Sequence, residues 1–192
     1  AHSSIEKNVL IAGVRLRKLT STVDPLTGNY VVTGATLEKA IQEDRARGYI
    51  PFMFVASIGT TNSCAFDPIQ DLAAICNREQ LWIHVDAAYA GSYMICPENR
   101  HIINGIEMVD SFNTNSGKGM LVNFDCSLLW FKDGKEAKEL LNSNTCDETE
   151  DCDAFGDFRN LQVSDERRHR ALKLWFVFRA FGVEWIREFQ RA

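Results

Sequence analysis

Short apolar runs and amphipathic stretches alternate along the chain. Four runs have the length of strands, and one of them, PFMFVASI, is apolar at nearly every position, as in strands buried on both faces. Between the runs, apolar residues recur every three or four positions, as on one face of a helix. Alternating strands and helices predict an α/β fold with a mostly parallel sheet flanked by helices. The predicted strands are 51–58, 81–86, 109–114 and 126–132.

The first fifty residues predict two helices and one additional strand. Ser3 or Ser4 is suited to cap a helix over 5–12. The stretch VRLRKL alternates apolar and basic residues, which predicts a strand over 14–19. Thr36 is predicted to cap an amphipathic helix, LEKAIQEDRARG, which ends at Gly48.

The chain divides into three predicted parts. Residues 1–133 contain every predicted strand and form the core of the domain. Residues 134–160 are predicted to be a mobile loop, because acidic residues crowd this segment and apolar ones are few. Residues 161–192 follow a long helical pattern, which Gly182 is predicted to break or bend.

Charge and cysteine content exclude several classes of partner. The 192 residues carry a net charge of -5, whereas nucleic acids and anionic membranes bind basic surfaces. No apolar run reaches the length of about 18 residues that a membrane span needs. The six cysteines form no CxxC pair, and without a secretory signal they predict reduced thiols in a cytoplasmic protein. A bridge between Cys146 and Cys152 is the alternative, and no metal site is expected.

Three polar groups follow predicted strands, where open α/β sheets bind ligands. They are the loop with Thr60 and Thr61, the carboxylate of Asp86 in HVDAAYAG, and the glycine-flanked Lys118 in NTNSGKG, where Asn115 adds hydrogen bonds. An anion, an amine and hydroxyl groups suit a ligand with a basic ring nitrogen, an aldehyde and a phosphate. Pyridoxal 5′-phosphate has these three groups. The alternatives are that Asp86 caps the next segment and that Lys118 is a solvated turn residue.

Several motifs resemble those of the group II pyridoxal-phosphate decarboxylases, and most of all those that act on aromatic L-amino acids. The motifs, which cover nearly the whole chain, are AHSSIEK, GTTNSCAFD, LWIHVDAAYAG, CPENRHIINGIEMVDSFN, LVNFDCS and ALKLWFVFR. The resemblance implies an aminotransferase-like large domain of fold type I, here incomplete. It also implies that the protein is a homodimer when full length and that residues 161–192 lead toward a small domain absent from this chain.

The same resemblance implies a role for each candidate site residue. Lys118 matches the lysine that forms the aldimine with the cofactor, and Asp86 matches the acid that pairs with its ring nitrogen. His2 matches the histidine that stacks on one face of the ring, and Ala88 lies at the other face. The positions of Thr61 and Asn115 match residues near the cofactor and its phosphate. His84 is interpreted instead as a core histidine whose hydrogen bonds are satisfied.

The chain departs from the family at the lysine turn. Where family members read proline, histidine, lysine and tryptophan, this chain has Ser116, Gly117, Lys118 and Gly119. The missing histidine is one that contacts the cofactor phosphate, and the glycines loosen the turn.

Two further departures concern the substrate. The family's mobile loop carries a tyrosine that protonates the product, whereas no tyrosine follows Tyr93 here. Glu166 occupies a position associated with substrate choice. Three functions therefore remain open: a decarboxylase that releases an amine and carbon dioxide, a non-catalytic relative that serves as a dimer partner or is a degenerate product, and an oxidative decarboxylase that yields an aldehyde.

Overall fold

The computed structural model describes residues 1–141 and 168–192. The helices are α1 (Ser3–Ile11), α2 (Gly34–Ala46), α3 (Ile69–Glu79), α4 (Ser116–Gly119), α5 (Gly134–Leu141) and α6 (Arg170–Arg191). The strands are β1 (Thr22–Val23), β2 (Tyr30–Val31), β3 (Met53–Ser57), β4 (Trp82–Asp86), β5 (Ser111–Asn115) and β6 (Ser127–Phe131). Three 3₁₀ segments, Gly91–Ile95, Pro97–Ile103 and Ile106–Met108, connect β4 to β5.

The main sheet has the strand order β3-β4-β5-β6. The pairs β3/β4 and β4/β5 are parallel, whereas β6 runs antiparallel to β5. The predicted α/β fold with a mostly parallel sheet is therefore confirmed. The register aligns Ser57, Asp86 and Asn113 across the three parallel strands, so the residues that follow them emerge at one edge of the sheet.

One face of the sheet forms the hydrophobic core with α2 and α3. Ile83 and Val85 of β4 are fully buried there together with Leu72 of α3. Because side chains alternate along a strand, Trp82, His84 and Asp86 lie on the opposite face, where they are only half-buried. The strand that anchors the site is thus held by its apolar residues and presents its polar residues on the other side.

The predicted strand at 14–19 is wrong, because these residues form no regular element. Their alternating pattern instead places Arg17 against α2, where its guanidinium binds Glu43 and Asp44 at 2.6 Å each. Val14 and Leu16 remain partly exposed. The alternating residues therefore form no buried strand face, and the segment contacts α2 through the ion pairs of Arg17.

The predicted helix caps are displaced in both N-terminal helices. His2 caps α1, since its Nδ1 accepts a hydrogen bond from the Ser4 N–H, and neither Ser3 nor Ser4 is the cap. Thr33 caps α2 because its hydroxyl accepts from the N–H of Thr36, which lies inside the helix. Both sites offered more than one capping side chain, and the local backbone conformation selected among them.

Residues 134–141, predicted as the start of the acidic loop, form the helix α5 instead. Lysine, glutamate, alanine and leucine in this stretch favour a helix, and the Asp133 carboxylate accepts a hydrogen bond from the Lys135 N–H at its start. The acidic residues that suggested a loop begin only at Asp147. The prediction for 142–160 and the position of Glu166 lie outside the described residues.

Helix α6 is interrupted at Gly182, as predicted, where the backbone takes φ 77° and ψ 163°. Its first half binds the segment that follows the lysine turn: Lys173 Nζ donates to the carbonyls of residues 123–125, and Arg170 pairs with Asp125 at 2.9 Å. This arginine lowers the pKa of the Asp125 carboxyl. Both halves of α6 therefore have separate attachments to the core, and those of the second half lie around residues 95–98.

Four cysteines fall in the described residues, and all are free thiols: Cys64, Cys76, Cys96 and Cys126. Burial raises the pKa of Cys76 to about 12. The proposed alternative bridge between Cys146 and Cys152 lies outside the described residues. Among the described helices, none combines the length and apolarity needed to cross a membrane.

Candidate active site

The carboxyl ends of β3, β4 and β5 meet at one edge of the sheet and bring Asp86 and Lys118 to the same region. Asp86 ends β4 and pairs in register with Asn113 of β5, while Lys118 lies in α4, which directly follows β5. The Asn115 N–H donates to the carbonyl of Ala88 at 3.2 Å, so the lysine turn is joined to the segment after Asp86. The predicted acid therefore ends one parallel strand, and the predicted amine lies in the turn that follows the neighbouring strand.

The Asp86 carboxylate is half-buried and has few partners. One oxygen accepts the N–H of Ala88 at 3.1 Å, which orients the side chain at the strand end. In residues 1–141 and 168–192, no lysine or arginine forms an ion pair with it. A half-buried anion without a cation is unfavourable, so this position suits a cationic ligand.

Lys118 projects from a short helical turn with a defined start. Asn115 is the N-cap of α4, and its Oδ1 accepts the N–H of Gly117 at 2.9 Å. The Ser116 N–H donates to the carbonyl of Cys126 at 2.9 Å, which ties the turn to the base of β6. The Lys118 side chain is exposed and forms no ion pair with the part of the chain that the structure describes.

The loop after β3 is held close to the same edge. Gly59 has φ 73°, and a Cβ at this position would lie 2.2 Å from Ala90 Cβ, so the close approach requires glycine. Thr60 is used inside the loop, since its hydroxyl accepts the N–H of Ala65 at 3.0 Å. Thr61 is exposed, and its hydroxyl has no hydrogen-bond partner among the described residues, so it remains free for a ligand.

The half-buried carboxylate of Asp67 supports this loop. Asp67 accepts the N–H of Ser57 at 2.8 Å and that of Val32 at 3.0 Å, which joins the end of β3 to the segment before α2. Burial raises the pKa of Asp67. The role of Asp67 is not predictable from the sequence, because nothing in the FDP motif itself reveals which backbone groups the carboxylate reaches.

His2 stands apart from the other predicted site residues. It is exposed at the start of α1, and its Nδ1 also lies 2.9 Å from the Ser4 hydroxyl. Within the described ranges, no hydrogen bond or ion pair joins His2 to Asp86 or Lys118. Its stacking role stays a prediction.

A hydrogen-bond network missed by the sequence analysis lies beside Asp86. Trp82 Nε1 donates to the Ser111 hydroxyl at 2.9 Å, and this hydroxyl is 2.8 Å from His84 Nδ1. His84 Nε2 is 3.1 Å from Asn113 Oδ1, which can only accept, so the proton resides on Nε2 and Ser111 donates to Nδ1.

Both ring nitrogens of His84 are therefore satisfied, as predicted, and burial lowers the pKa of this histidine. Asn113, the register partner of Asp86, is the unpredicted member of the network. The spacing of two residues in Ser111 and Asn113, as in His84 and Asp86, is the signal that places all four on one face.

An α/β sheet that presents a carboxylate and a free amine beyond its parallel strand ends is the arrangement of a small-ligand or cofactor site. The pyridoxal-dependent decarboxylase conserved domain matches residues 1–192. The chain therefore belongs to the pyridoxal-dependent decarboxylase family, whose cofactor is pyridoxal 5′-phosphate. The family resemblance stated from the motifs is confirmed.

Relatives and solved structures are similar over nearly all of this chain. Aromatic-L-amino-acid decarboxylase of Drosophila simulans is 50% identical over 185 residues, which are 96% of this chain and 35% of that protein. Tryptophan decarboxylase of Catharanthus roseus, solved with L-tryptophan, has a TM-score of 0.87 at 36% identity and covers 98% of this chain and 38% of its own. The Oryza sativa TDC structure with PLP and tryptamine has a TM-score of 0.85 at 34% identity, with coverage of 98% and 39%. The chain spans little more than a third of these proteins.

The residues at the sheet edge fit this cofactor. Asp86 is a half-buried carboxylate without a cationic partner in the described parts of the chain, and a protonated ring nitrogen is the cation that would satisfy it. Lys118 is an exposed amine on an ordered turn, as covalent attachment to an aldehyde requires. The chemistry of the two groups thus agrees with the family membership.

We expect that His84→Phe lowers the free energy of unfolding by about 1–3 kcal/mol, because the buried Ser111 hydroxyl loses the nitrogen that accepts its proton and Asn113 Oδ1 loses its donor. The folded-state pKa of His84 lies below its ordinary value of 6.5, so its contribution to stability is complete above pH 6.5 and declines as the pH falls below it. Urea unfolding between pH 5 and 8 checks both effects. Equal stability losses at all pH values, relative to the parent, would contradict the titration of His84.

Proposed function

We propose that this chain is the cofactor-binding part of a longer pyridoxal-phosphate decarboxylase that converts an aromatic L-amino acid to its amine and carbon dioxide. The observation that carries the proposal is the placement of Asp86 and Lys118 at one sheet edge, joined through the hydrogen bond from Asn115 to Ala88. The similarity to aromatic-L-amino-acid decarboxylases supports the substrate class. We also propose that the full-length protein is a cytoplasmic homodimer.

When bound, pyridoxal phosphate supplies an electron sink for the pair of electrons that the departing carboxylate leaves behind. Asp86 would accept a hydrogen bond from the ring nitrogen and keep the proton on it, because the carboxylate is the only anion that β4 places at this edge. Lys118 Nζ would be the group that holds the cofactor covalently through its aldehyde. Both roles need groups that are ordered but not already paired, and the structure supports this for both residues.

The remaining predicted residues orient the cofactor. Ala88, two residues beyond Asp86, would leave room for the face of the ring, since its side chain is a single methyl group. Thr61 and Asn115 hydrogen-bond near the phosphate. Thr61 has a free hydroxyl, while the Asn115 Oδ1 caps α4, so its amide NH₂ is the group available to an anion. His2 stacks on the opposite ring face, which requires α1 to approach the sheet edge.

Lys118→Ala is expected to abolish covalent capture of the cofactor and to leave the fold intact, since the side chain is exposed and unpaired among the described residues. The full-length protein is incubated with pyridoxal phosphate, reduced with borohydride and digested, and the pyridoxyl-bearing peptide is identified by mass spectrometry. Lys132→Ala, at an exposed position beyond the end of β6, is the matched control and should retain the label on Lys118. An unlabelled parent protein would favour the non-catalytic alternative, and a label on another lysine would refute the assignment.

Asp86→Asn is expected to lower the rate of decarboxylation by about 10- to 100-fold, which corresponds to the about 1.5–3 kcal/mol of a charged hydrogen bond. The amide still accepts the Ala88 N–H but does not neutralise a ring cation. Asp71→Asn, in the exposed first turn of α3, is the control with the same change of charge. Carbon dioxide release from aromatic amino acids is measured at saturating cofactor. Equal rates in the two variants would contradict the role of Asp86.

An oxidative decarboxylation that yields an aldehyde is the second candidate, and the absence of tyrosine after Tyr93 favours it. The family's loop tyrosine returns a proton to the substrate carbon, and without it molecular oxygen competes for the same carbon. Parallel measurement of oxygen consumption and carbon dioxide release separates the two reactions. We expect carbon dioxide without oxygen uptake, whereas one mole of oxygen consumed for each mole of carbon dioxide released would establish the aldehyde-forming reaction.

A further inference from the structure

The carbonyl end of the lysine turn is enclosed by the second half of α6. Gly119 is buried, and Gln190 Nε2 donates a hydrogen bond to its carbonyl oxygen. A Cβ at position 119 would lie 2.8 Å from Ser92 Cβ and 3.3 Å from Gln190 Nε2. The turn therefore approaches α6 and the first 3₁₀ segment so closely that only glycine fits.

Gln190 is itself held in place by its neighbours on α6. Arg187 Nε donates to the carbonyl of Ile95 at 2.9 Å, and Arg191 binds Glu98 through both carboxylate oxygens at 2.5 and 3.0 Å. Arg191 lowers the pKa of Glu98 to about 2, so this ion pair persists throughout the neutral range. The residues on both sides of Gln190 are thus fixed to the core, which sets the position of its side chain.

The orientation of the Gln190 amide follows from the group that it faces. A carbonyl oxygen only accepts, so the amide nitrogen must point to Gly119, and Oε1 is left buried without a partner among the described residues. A buried amide oxygen without a hydrogen bond is unfavourable, and a leucine of similar size would avoid this cost. The glutamine therefore matches a specific need of the turn, since the last carbonyls of a helix have no partner within it.

The residues on either side of Lys118 are each held by one side-chain hydrogen bond, and we call these two hydrogen bonds the clamps. On one side Asn115 Oδ1 accepts the N–H of Gly117, and on the other side Gln190 Nε2 donates to the carbonyl of Gly119. Glycines next to a functional residue allow many backbone conformations, and the two clamps remove that freedom. Both hydrogen bonds act on the backbone of the turn itself, at the glycines on either side of Lys118.

We propose that Gln190 is a positioning residue for Lys118, which fixes the glycine-rich turn from α6 and so sets the approach of the lysine amine to the cofactor aldehyde. The part of this proposal that concerns the cofactor rests on the proposed function. The part that concerns the backbone of the turn does not. The inference also means that Gly117 and Gly119 belong to a repacked turn and are not signs of a degenerate site.

The test compares Gln190→Leu with the full-length parent and with Gln42→Leu, which changes an exposed glutamine of α2. Hydrogen exchange of the amides of residues 117–121 should become about tenfold faster in Gln190→Leu only, because one of the two clamps is lost. The rate of pyridoxal capture by Lys118, followed by borohydride trapping, should fall by a similar factor. Exchange in β4 should not change.

Gln190→Glu provides a second, pH-dependent readout that also serves if the leucine variant does not fold. An ionised carboxylate cannot donate to the Gly119 carbonyl, whereas a protonated one can. Exchange of the turn, relative to the parent at the same pH, should therefore be fast at pH 8 and approach the parent value as the pH falls to about 4, where a carboxyl group is protonated.

Two results would separate the proposal from the proposed function. Unchanged exchange in Gln190→Leu, together with a pH-independent difference between Gln190→Glu and the parent, would overturn the clamp. Faster exchange in a protein whose parent captures no pyridoxal phosphate would uphold the clamp and defeat the proposed function.

Discussion

A carboxylate at the end of a buried strand needs a partner, and the architecture around Asp86 follows from this need. The apolar residues of β4 fix the strand in the core, and the strand end is thereby fixed as well. Among residues 1–141 and 168–192, the one hydrogen bond to the carboxylate comes from the Ala88 N–H, which leaves most of its hydrogen-bonding capacity available. The packed core thus fixes the position of a carboxylate that has few partners of its own.

The lysine is positioned by a different physical means. Asp86 belongs to a strand whose register is set by its neighbours, whereas Lys118 lies on a four-residue helix that has too few internal hydrogen bonds to be stable alone. Its order comes from outside: the cap by Asn115, the bond from Ser116 to Cys126 and the contact of Gln190 with Gly119. Asp86 is thus fixed by its strand, whereas Lys118 is fixed through the backbone of its turn. The side chain of Lys118 itself is exposed and free to move.

Helix α6 connects these local features to the distant part of the chain. Its first half holds the carbonyls of residues 123–125 and its second half holds residues 95–98, with the break at Gly182 between them. The lysine turn lies between the two attachments. A glycine with φ 77° and ψ 163° is required at the break, because other residues rarely adopt this conformation. Any displacement of α6 would therefore be transmitted to Gly119 and to the neighbouring lysine.

The family membership and the departures from the family motif are compatible in this structure. The chain belongs to the family as a whole, and it carries Asp86 at the end of β4 and Lys118 on α4, directly after β5. Where the family has a bulky residue, Gly119 lies close to Ser92 and Gln190, which leave no room for a Cβ. The residues that differ from the family motif thus change how the turn is supported.

The amino-acid sequence by itself determined the α/β class, the strands of the main sheet and the positions of Asp86 and Lys118 at the ends of neighbouring strands. These features depend on periodicity and on residues that lie next to strand ends, which are local properties of the chain. Tertiary structure alone decided that residues 14–19 reach α2 through Arg17 and form no strand, and that the hydrogen bonds of His84 run to Ser111 and Asn113. It also decided that Gln190 braces a turn 71 positions earlier in the chain. Such contacts join residues distant in sequence, and their distances depend on how the finished elements pack, which no local pattern records.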